Sequence, residues 1–403
     1  MARSLYICYF GVNEALVQTQ VIPYLRELVK GGHEMTLLTF EPGDVDESAV
    51  SQGLNKQGIE WHWLRYHKRP SVPATLYDLV NGVRLVRKLS QMKQFDIFHV
   101  RGHIPAPIGI IAKKICGGKV LFDIRGFLPE EYVDAGIWTE KSLVYRIFKR
   151  VERWVMRESD GFVVLTEAAR NILFPESAST GFDKLDRPVE VIPCCVDLSR
   201  FSTAIMESRE DARERLGVSN NFVAVYVGSF GGWYLTDEML DFFTTLRESE
   251  PRTFALILTQ RGQQTIESAL IRRGFDSNSL LVKGVPHSEI NAYLRSGDLA
   301  ISFIKPSYSK KSSSPTKLAE YLAAGLPIIS NRSVGDVDAT IEGNNVGTMI
   351  ETFEDSEYLR AAKEIIAKGD IADRCRKVAV REFDLETVGG PRYRRLYDRI
   401  LDQ

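Results

Sequence analysis

Lys317 and Glu320 are the pair in this 403-residue chain whose types and spacing carry the most chemistry. They lie in the stretch Ser314-Pro315-Thr316-Lys317-Leu318-Ala319-Glu320, which continues to Gly325-Leu326-Pro327. Local rules predict a helix here. Ser314 suits the N-cap, Pro315 the first helical position and Gly325 a left-handed C-cap, and Pro327 stops any continuation. Lys317 breaks the pattern, because the first turn of a helix already presents positive charge, and a cation there costs energy unless an anion meets it. A phosphate is such an anion. The backbone of Ser314, Pro315, Thr316 and Leu318, the helix dipole and the Lys317 ammonium together make a phosphate site. Glu320, one turn on along the same face, can accept hydrogen bonds from a ribose beside it. The competing reading is a surface helix whose Lys317 and Glu320 pair with each other.

The elements that must position this helix alternate regularly. Apolar runs at 5–10, 35–40, 59–64, 95–100, 119–122, 161–165 and 189–192 read as strands, separated by helical patterns at 16–30, 76–89, 108–115, 139–158 and 167–174. This is the signature of a doubly wound parallel sheet. Its first loop, Gly11-Val12-Asn13, falls at the strand end where such sheets bind ligands, so Gly11 and Val12 are candidate ligand contacts. Polar stretches at 175–188 and 202–220 flank a boundary near residue 200, and the pattern then restarts. Strands at 222–227, 254–258, 280–283, 299–304, 328–330 and 346–350 alternate with helices, and the first enters the loop Gly228-Ser229-Phe230-Gly231-Gly232. The predicted architecture is α/β, with two doubly wound Rossmann-like domains over 1–200 and 201–385 facing across a cleft that suits a nucleotide-sized ligand. The final helix, 386–403, is expected to pack back on the first domain.

Composition narrows the function. Net charge is −1, with 52 basic and 53 acidic residues, so nothing global favours nucleic acid. The five cysteines are sparse and odd in number, which fits a reducing compartment, and the vicinal Cys194-Cys195 reads as packed thiols in a turn rather than a redox pair. The apolar run at the N-terminus is too short for a signal peptide, and no stretch approaches a membrane span. A cytoplasmic protein is expected. Neither Gly11 nor Gly228 begins a G-x-G-x-x-G fingerprint, which argues against a dehydrogenase.

Several segments together resemble the family-4, group-1 glycosyltransferases of the GT-B fold. Val191-Ile192-Pro193-Cys194-Cys195-Val196-Asp197 through Phe201 is similar to their domain-junction motif, with Cys-Cys in place of Asn-Gly. Val164-Leu165-Thr166 resembles the preceding strand, and 315–329 resembles the donor-binding helix. The resemblance implies that Glu320 contacts ribose hydroxyls. The family's first glutamate falls on Ser312, and Gly228, Ser229 and Phe230 stand where many members carry an arginine and a lysine for the diphosphate. Phosphate contact then shifts to Lys317, helped by Lys310, Lys311 and backbone amides. The implied reaction is retaining, metal-independent transfer from a nucleotide-sugar donor to a saccharide or polyprenyl- or other lipid-linked acceptor, in cell-envelope polysaccharide or glycoconjugate biosynthesis. No cofactor is expected beyond the donor. Arg125, at a strand end where the family often has histidine, is the candidate for contacting donor phosphate or acceptor, against a structural salt bridge with Asp123 or Glu130. His103, after another strand end, is a second catalytic candidate, against a capping or solvated histidine.

Three readings remain open on sequence alone: glycosyl transfer, nucleotide-sugar epimerisation or hydrolysis, and a nucleotide-sugar-binding protein that has lost catalysis. The D-x-D patterns Asp44-Val-Asp46 and Asp336-Val-Asp338 are read as loop carboxylates rather than metal ligands. The 139–158 helix gathers Leu143, Val144, Ile147, Phe148, Val151, Trp154 and Val155 on one face and five basic residues on the other. It is either a core helix with a solvated basic face or a peripheral contact with the cytoplasmic membrane surface.

Overall fold

The computed structural model describes residues 1–202 and 207–403. It divides into two units, Met1–Pro193 with Leu385–Gln403, and Cys194–Asp384. Of the polar stretch expected at the boundary, residues 203–206 lie outside the described residues.

The first unit is built on seven parallel strands: β1 (Arg3–Cys8), β2 (Glu34–Glu41), β3 (Ile59–Arg65), β4 (Ile97–Arg101), β5 (Lys119–Asp123), β6 (Gly161–Val164) and β7 (Val189–Val191), in the order β3-β2-β1-β4-β5-β6-β7. Five consecutive residues of β1 are buried, as both faces of such a sheet are covered and alternation disappears. Helix α1 (Ile22–Lys30) crosses from β1 back to β2, while α2 (Ser71–Met92), α3 (Ala106–Cys116) and α4 (Leu143–Glu158) cross in the opposite direction along the sheet. Right-handed crossovers therefore put α2, α3 and α4 together on one face and α1 on the other. Gly82 of α2 packs against Ile108 of α3. Near the far end of α3, Lys114 pairs with Glu158 of α4 at 3.0 Å and lies over the Trp154 ring.

α4 departs from the expected burial. Ser142 caps it by accepting the Tyr145 N–H at 3.2 Å, and Val151, Trp154 and Val155 pack into the core. Leu143, Val144 and Ile147 stay exposed, at 72, 37 and 51%. The apolar stripe is thus buried only in its second half. The physical reason is length: α4 has 16 residues against 11 in α3, and the two are matched at their C-terminal ends.

The second unit has six parallel strands: β8 (Phe222–Val227), β9 (Thr253–Leu258), β10 (Leu280–Lys283), β11 (Leu299–Ser302), β12 (Ile328–Asn331) and β13 (Gly347–Ile350), in the order β10-β9-β8-β11-β12-β13. Helix α5 (Thr316–Ala324) crosses from β11 to β12 and packs against α6 (Ala372–Phe383). Residues 317–324 are all buried, so α5 is a core helix rather than a surface one.

The chain returns to the first unit in α7 (Gly390–Leu401). Tyr393, Leu396, Tyr397 and Ile400 are buried at helical spacing against α1, β5 and β7. Tyr393 donates its hydroxyl to Asp123 at 3.1 Å, and Arg394 donates to the Glu27 carbonyl at 3.0 Å.

Candidate active site

α5 begins one residue later than its caps suggested. Pro315 occupies the N-cap with φ −70° and ψ 117° and offers no side-chain cap. The Ser314 hydroxyl is turned instead to the second unit's first residue, accepting the Cys194 N–H at 3.0 Å. Leu318 gives its N–H to the Pro315 carbonyl at 3.0 Å and sends its side chain into the core, so its amide is not available to a ligand. Thr316 and Lys317 remain as the residues that present the N–H groups of the first turn. The far end follows expectation, with Gly325 at φ 85° and the Leu326 N–H reaching back to Tyr321.

The Lys317 side chain runs into a cage of aromatic rings at the end of β8. Its ammonium donates to the Tyr226 hydroxyl at 3.2 Å and lies 4.3 and 4.1 Å from the ring centroids of Tyr226 and Tyr234. Tyr226 in turn donates to the Ser229 carbonyl and packs against Phe230. Gly228, at φ 139°, makes room: a Cβ there would stand 2.8 Å from Lys317 Nζ. The structure thus brings Lys317, Gly228, Ser229 and Phe230 into one place. Burial drives the ammonium pKa down to about 7, with Glu320 pulling it back up.

Glu320 is 4% exposed, and its Oε1 has no hydrogen-bond partner among the described residues. Burial raises its carboxyl pKa to about 7 against the opposing charges of Arg200 and Lys317. His287 Nε2, at 3.5 Å from that oxygen, offers no charge. That atom accepts a hydrogen bond from Arg200 Nη1 at 2.8 Å, and burial followed by the Arg200 charge lowers the imidazole pKa to about 4. Lys317 and Glu320 therefore do not pair; each turns to other neighbours. A buried carboxyl oxygen without a protein partner calls for one from outside, and a hydroxyl donor can supply it.

Around this core, Lys310 lies 4.0 Å over the Trp233 ring and Lys311 5.7 Å from the Tyr308 ring. Ser312 is buried and donates to the Ser309 carbonyl at 2.7 Å, holding the turn that precedes α5. Tyr226, Tyr234, Arg200 and His287 are the members that sequence reasoning missed. The available signal was Trp233-Tyr234 closing a glycine-rich strand-end loop, where exposed aromatics are otherwise out of place.

The candidates of the first unit sit at strand ends, each with a local partner. The Val12 N–H is held by Glu41 Oε1 at 2.9 Å and the Gly11 N–H by Glu14 at 2.8 Å, so this loop presents carboxylates rather than amide donors. Arg125 Nη1 lies 3.4 Å from Asp123. Asp123 is fully buried, with Arg101 at 3.5 Å and His99 Nε2 at 3.6 Å. Burial alone would raise its pKa, but Arg125, His99 and Arg101 outweigh it and hold the carboxyl well below the usual range. His103 is half-buried, with its ring against Glu152 at 3.1 Å, a carboxylate that also pairs with Lys149, so the ring is paired rather than solvated. In the D-x-D stretches, Asp44 pairs with Arg65, Asp46 caps a helix through the Ala49 N–H, and Asp338 accepts from the Ser333 N–H.

Two family descriptions match the chain: Glycosyltransferase Family 4 over residues 17–200, and Glycosyl transferases group 1 over residues 208–381. No curated protein matches it by sequence. Among solved structures, a glycosyltransferase from Rickettsia africae ESF-5 aligns with a TM-score of 0.74 at 16% identity, covering 100% of this chain and 99% of that one. HepE from Anabaena, solved in complex with UDP, aligns at 0.69 and 16% identity, covering 99% and 100%. Sucrose-phosphate synthase from Thermosynechococcus elongatus aligns at 0.72 and 15%, again covering 99% and 100%. At such identities these neighbours share the fold.

Proposed function

The chain belongs to the family-4, group-1 glycosyltransferases, and from that premise we propose that it moves a sugar from a nucleoside diphosphate donor to a saccharide or lipid-linked acceptor, with retention of configuration and without a metal ion. The observation that carries this reading is the junction of α5 with the β8 loop, where a caged ammonium and an unmatched carboxyl oxygen lie one turn apart. A diphosphate placed at the helix tip would meet the Thr316 and Lys317 amides and the Lys317 ammonium, while a ribose hydroxyl would donate to Glu320. HepE, similar in fold, was solved with UDP, which supports a nucleoside diphosphate as the leaving group.

In the reaction, the bond between the anomeric carbon and the phosphate oxygen breaks and a bond to the acceptor oxygen forms on the same face. The departing phosphate oxygen takes the acceptor's proton. Charge grows on the diphosphate as it leaves, and Lys317 with the helix tip is already in place to stabilise it, which is the load a metal would otherwise carry. Arg125 is assigned to donor phosphate or acceptor. No described helix is long and apolar enough to cross a membrane. We place the enzyme in the cytoplasm, with a lipid-linked acceptor reached from the membrane face.

Thermal-shift screening against UDP-, GDP-, dTDP- and ADP-sugars tests the reading, since a ligand that binds only the folded state raises the melting temperature. One nucleotide series should shift the wild type and not Lys317→Ala, and excess chelator should leave turnover intact. A wild type indifferent to all four series would overturn it.

A further inference from the structure

We infer that the first unit docks on an anionic lipid bilayer through the overhanging first turns of two helices, α2 and α4. Both start at the same edge of the sheet, because each follows a parallel strand and returns along it. Both outreach α3, which lies between them. Gly82 of α2 meets Ile108 near the start of α3, which leaves residues 71–81, about 16 Å of helix, beyond it. α4 is aligned with α3 at the Lys114–Glu158 pair and also runs past its start.

Ala74 and Asp78 of the α2 overhang are buried, but each overhang also leaves an apolar group of side chains uncovered. Val72, Leu76, Tyr77 and Val80 on α2 are 48 to 58% exposed, and Leu143, Val144 and Ile147 on α4 are 37 to 72% exposed. Ile137, 65% exposed, stands beside α4, where the Trp138 and Phe148 rings meet at 4.9 Å. Exposed apolar side chains clustered on this scale mark an interaction surface. Their setting selects the partner. Lys68 and Arg69 precede α2, and Arg146 and Arg150 lie on α4; all four are exposed, and none forms an ion pair among the described residues. Apolar tips edged with unpaired cations match a lipid surface that is apolar below and anionic at its headgroups. Two prongs separated by a helix width also suit a deformable plane better than one rigid groove.

This extends the membrane-side acceptor proposed above, yet it is measured without donor or acceptor, so the failure of one is separable from that of the other. The full chain is sedimented with vesicles of phosphatidylcholine alone and of phosphatidylcholine with about 30 mol% phosphatidylglycerol. The wild type should partition to the anionic vesicles and be released by about 0.5 M salt. Leu76→Glu with Val80→Glu, and separately Leu143→Glu with Ile147→Glu, should each lower the bound fraction about tenfold at unchanged melting temperature. Arg146→Ala with Arg150→Ala should remove the preference for phosphatidylglycerol. The inference is overturned if the wild type stays in the supernatant, if the glutamate variants bind as it does, or if the same substitutions instead dissolve a lipid-free dimer.

Discussion

Lys317 and Glu320 lie one turn apart on the same buried helix, yet Lys317 Nζ reaches the Tyr226 hydroxyl at 3.2 Å while Glu320 Oε1 looks toward His287 Nε2 at 3.5 Å. Two groups that ordinarily titrate six units apart are both brought to about 7 by burial. Each is left with a need that the other does not meet. The diphosphate and ribose of the proposed donor would answer both.

Removing the cation should therefore strike the chemical step as well as donor binding. Lys317→Ala is expected to lower turnover about a hundredfold or more, by analogy with the loss of one oxyanion donor. Steady-state kinetics on the variant check this, and turnover within a factor of three of wild type removes Lys317 from the mechanism.

Glu320→Gln should act on affinity instead. Losing a charge-assisted hydrogen bond to ribose weakens nucleotide binding by about 1.5–3 kcal/mol, while relief of a buried, unmatched carboxylate leaves the melting temperature equal or higher. Calorimetry paired with thermal unfolding reads both, and equal nucleotide affinity excludes the ribose contact.

The Lys317 pKa gives donor binding a direction in pH. Below about 7 the ammonium is already charged; above it the free enzyme holds a neutral amine and must take up a proton to bind diphosphate. Nucleotide affinity should fall by up to tenfold per pH unit above neutrality. The unfolded chain keeps this proton to a higher pH than the folded one, so the stability contribution of Lys317 rises over the same interval. Lys317→Met should flatten the affinity profile, and a slope that survives in that variant belongs to another group.

Gly228→Ala places a methyl 2.8 Å from Lys317 Nζ at φ 139°. We expect about 1–3 kcal/mol of lost stability from the backbone conformation, together with a displaced ammonium and turnover reduced at least tenfold. Full activity in the folded variant would show that the close approach is dispensable.

Asp123 anchors α7 and two arginines in the first unit. Asp123→Ala leaves buried cations without their partner and should cost about 3–5 kcal/mol, against about 1 kcal/mol for Tyr393→Phe. Because the folded carboxyl is depressed, its contribution is present above the ordinary carboxylate range and is lost as pH falls through the folded value. Urea titrations at neutral and acid pH should find the wild type and Asp123→Ala converging at the acid end.

Both sheets were legible because parallel strands buried on two faces read as apolar runs, and every run from 5–10 to 346–350 corresponds to a strand. The cap of α5 was legible at Gly325 but not at Ser314, whose hydroxyl serves Cys194, a residue 120 positions away. The cage around Lys317 was hidden for the same reason: Tyr226 and Tyr234 precede it by more than eighty residues and meet it only in three dimensions. α4 misled by its own regularity. A continuous apolar stripe reports which face is apolar, not how far the neighbouring helix extends to cover it.

Finally, the placement of α7 bears on how the protein is made. The segment Cys194–Asp384 is interposed between two stretches of one unit, so the ribosome has synthesised an entire second sheet before it delivers Tyr393 and Tyr397. Until then Asp123 and His99 wait in a nascent domain without their last cover. The earliest part of the chain is thus the last to mature, and truncating only its tail would injure the half that was made first.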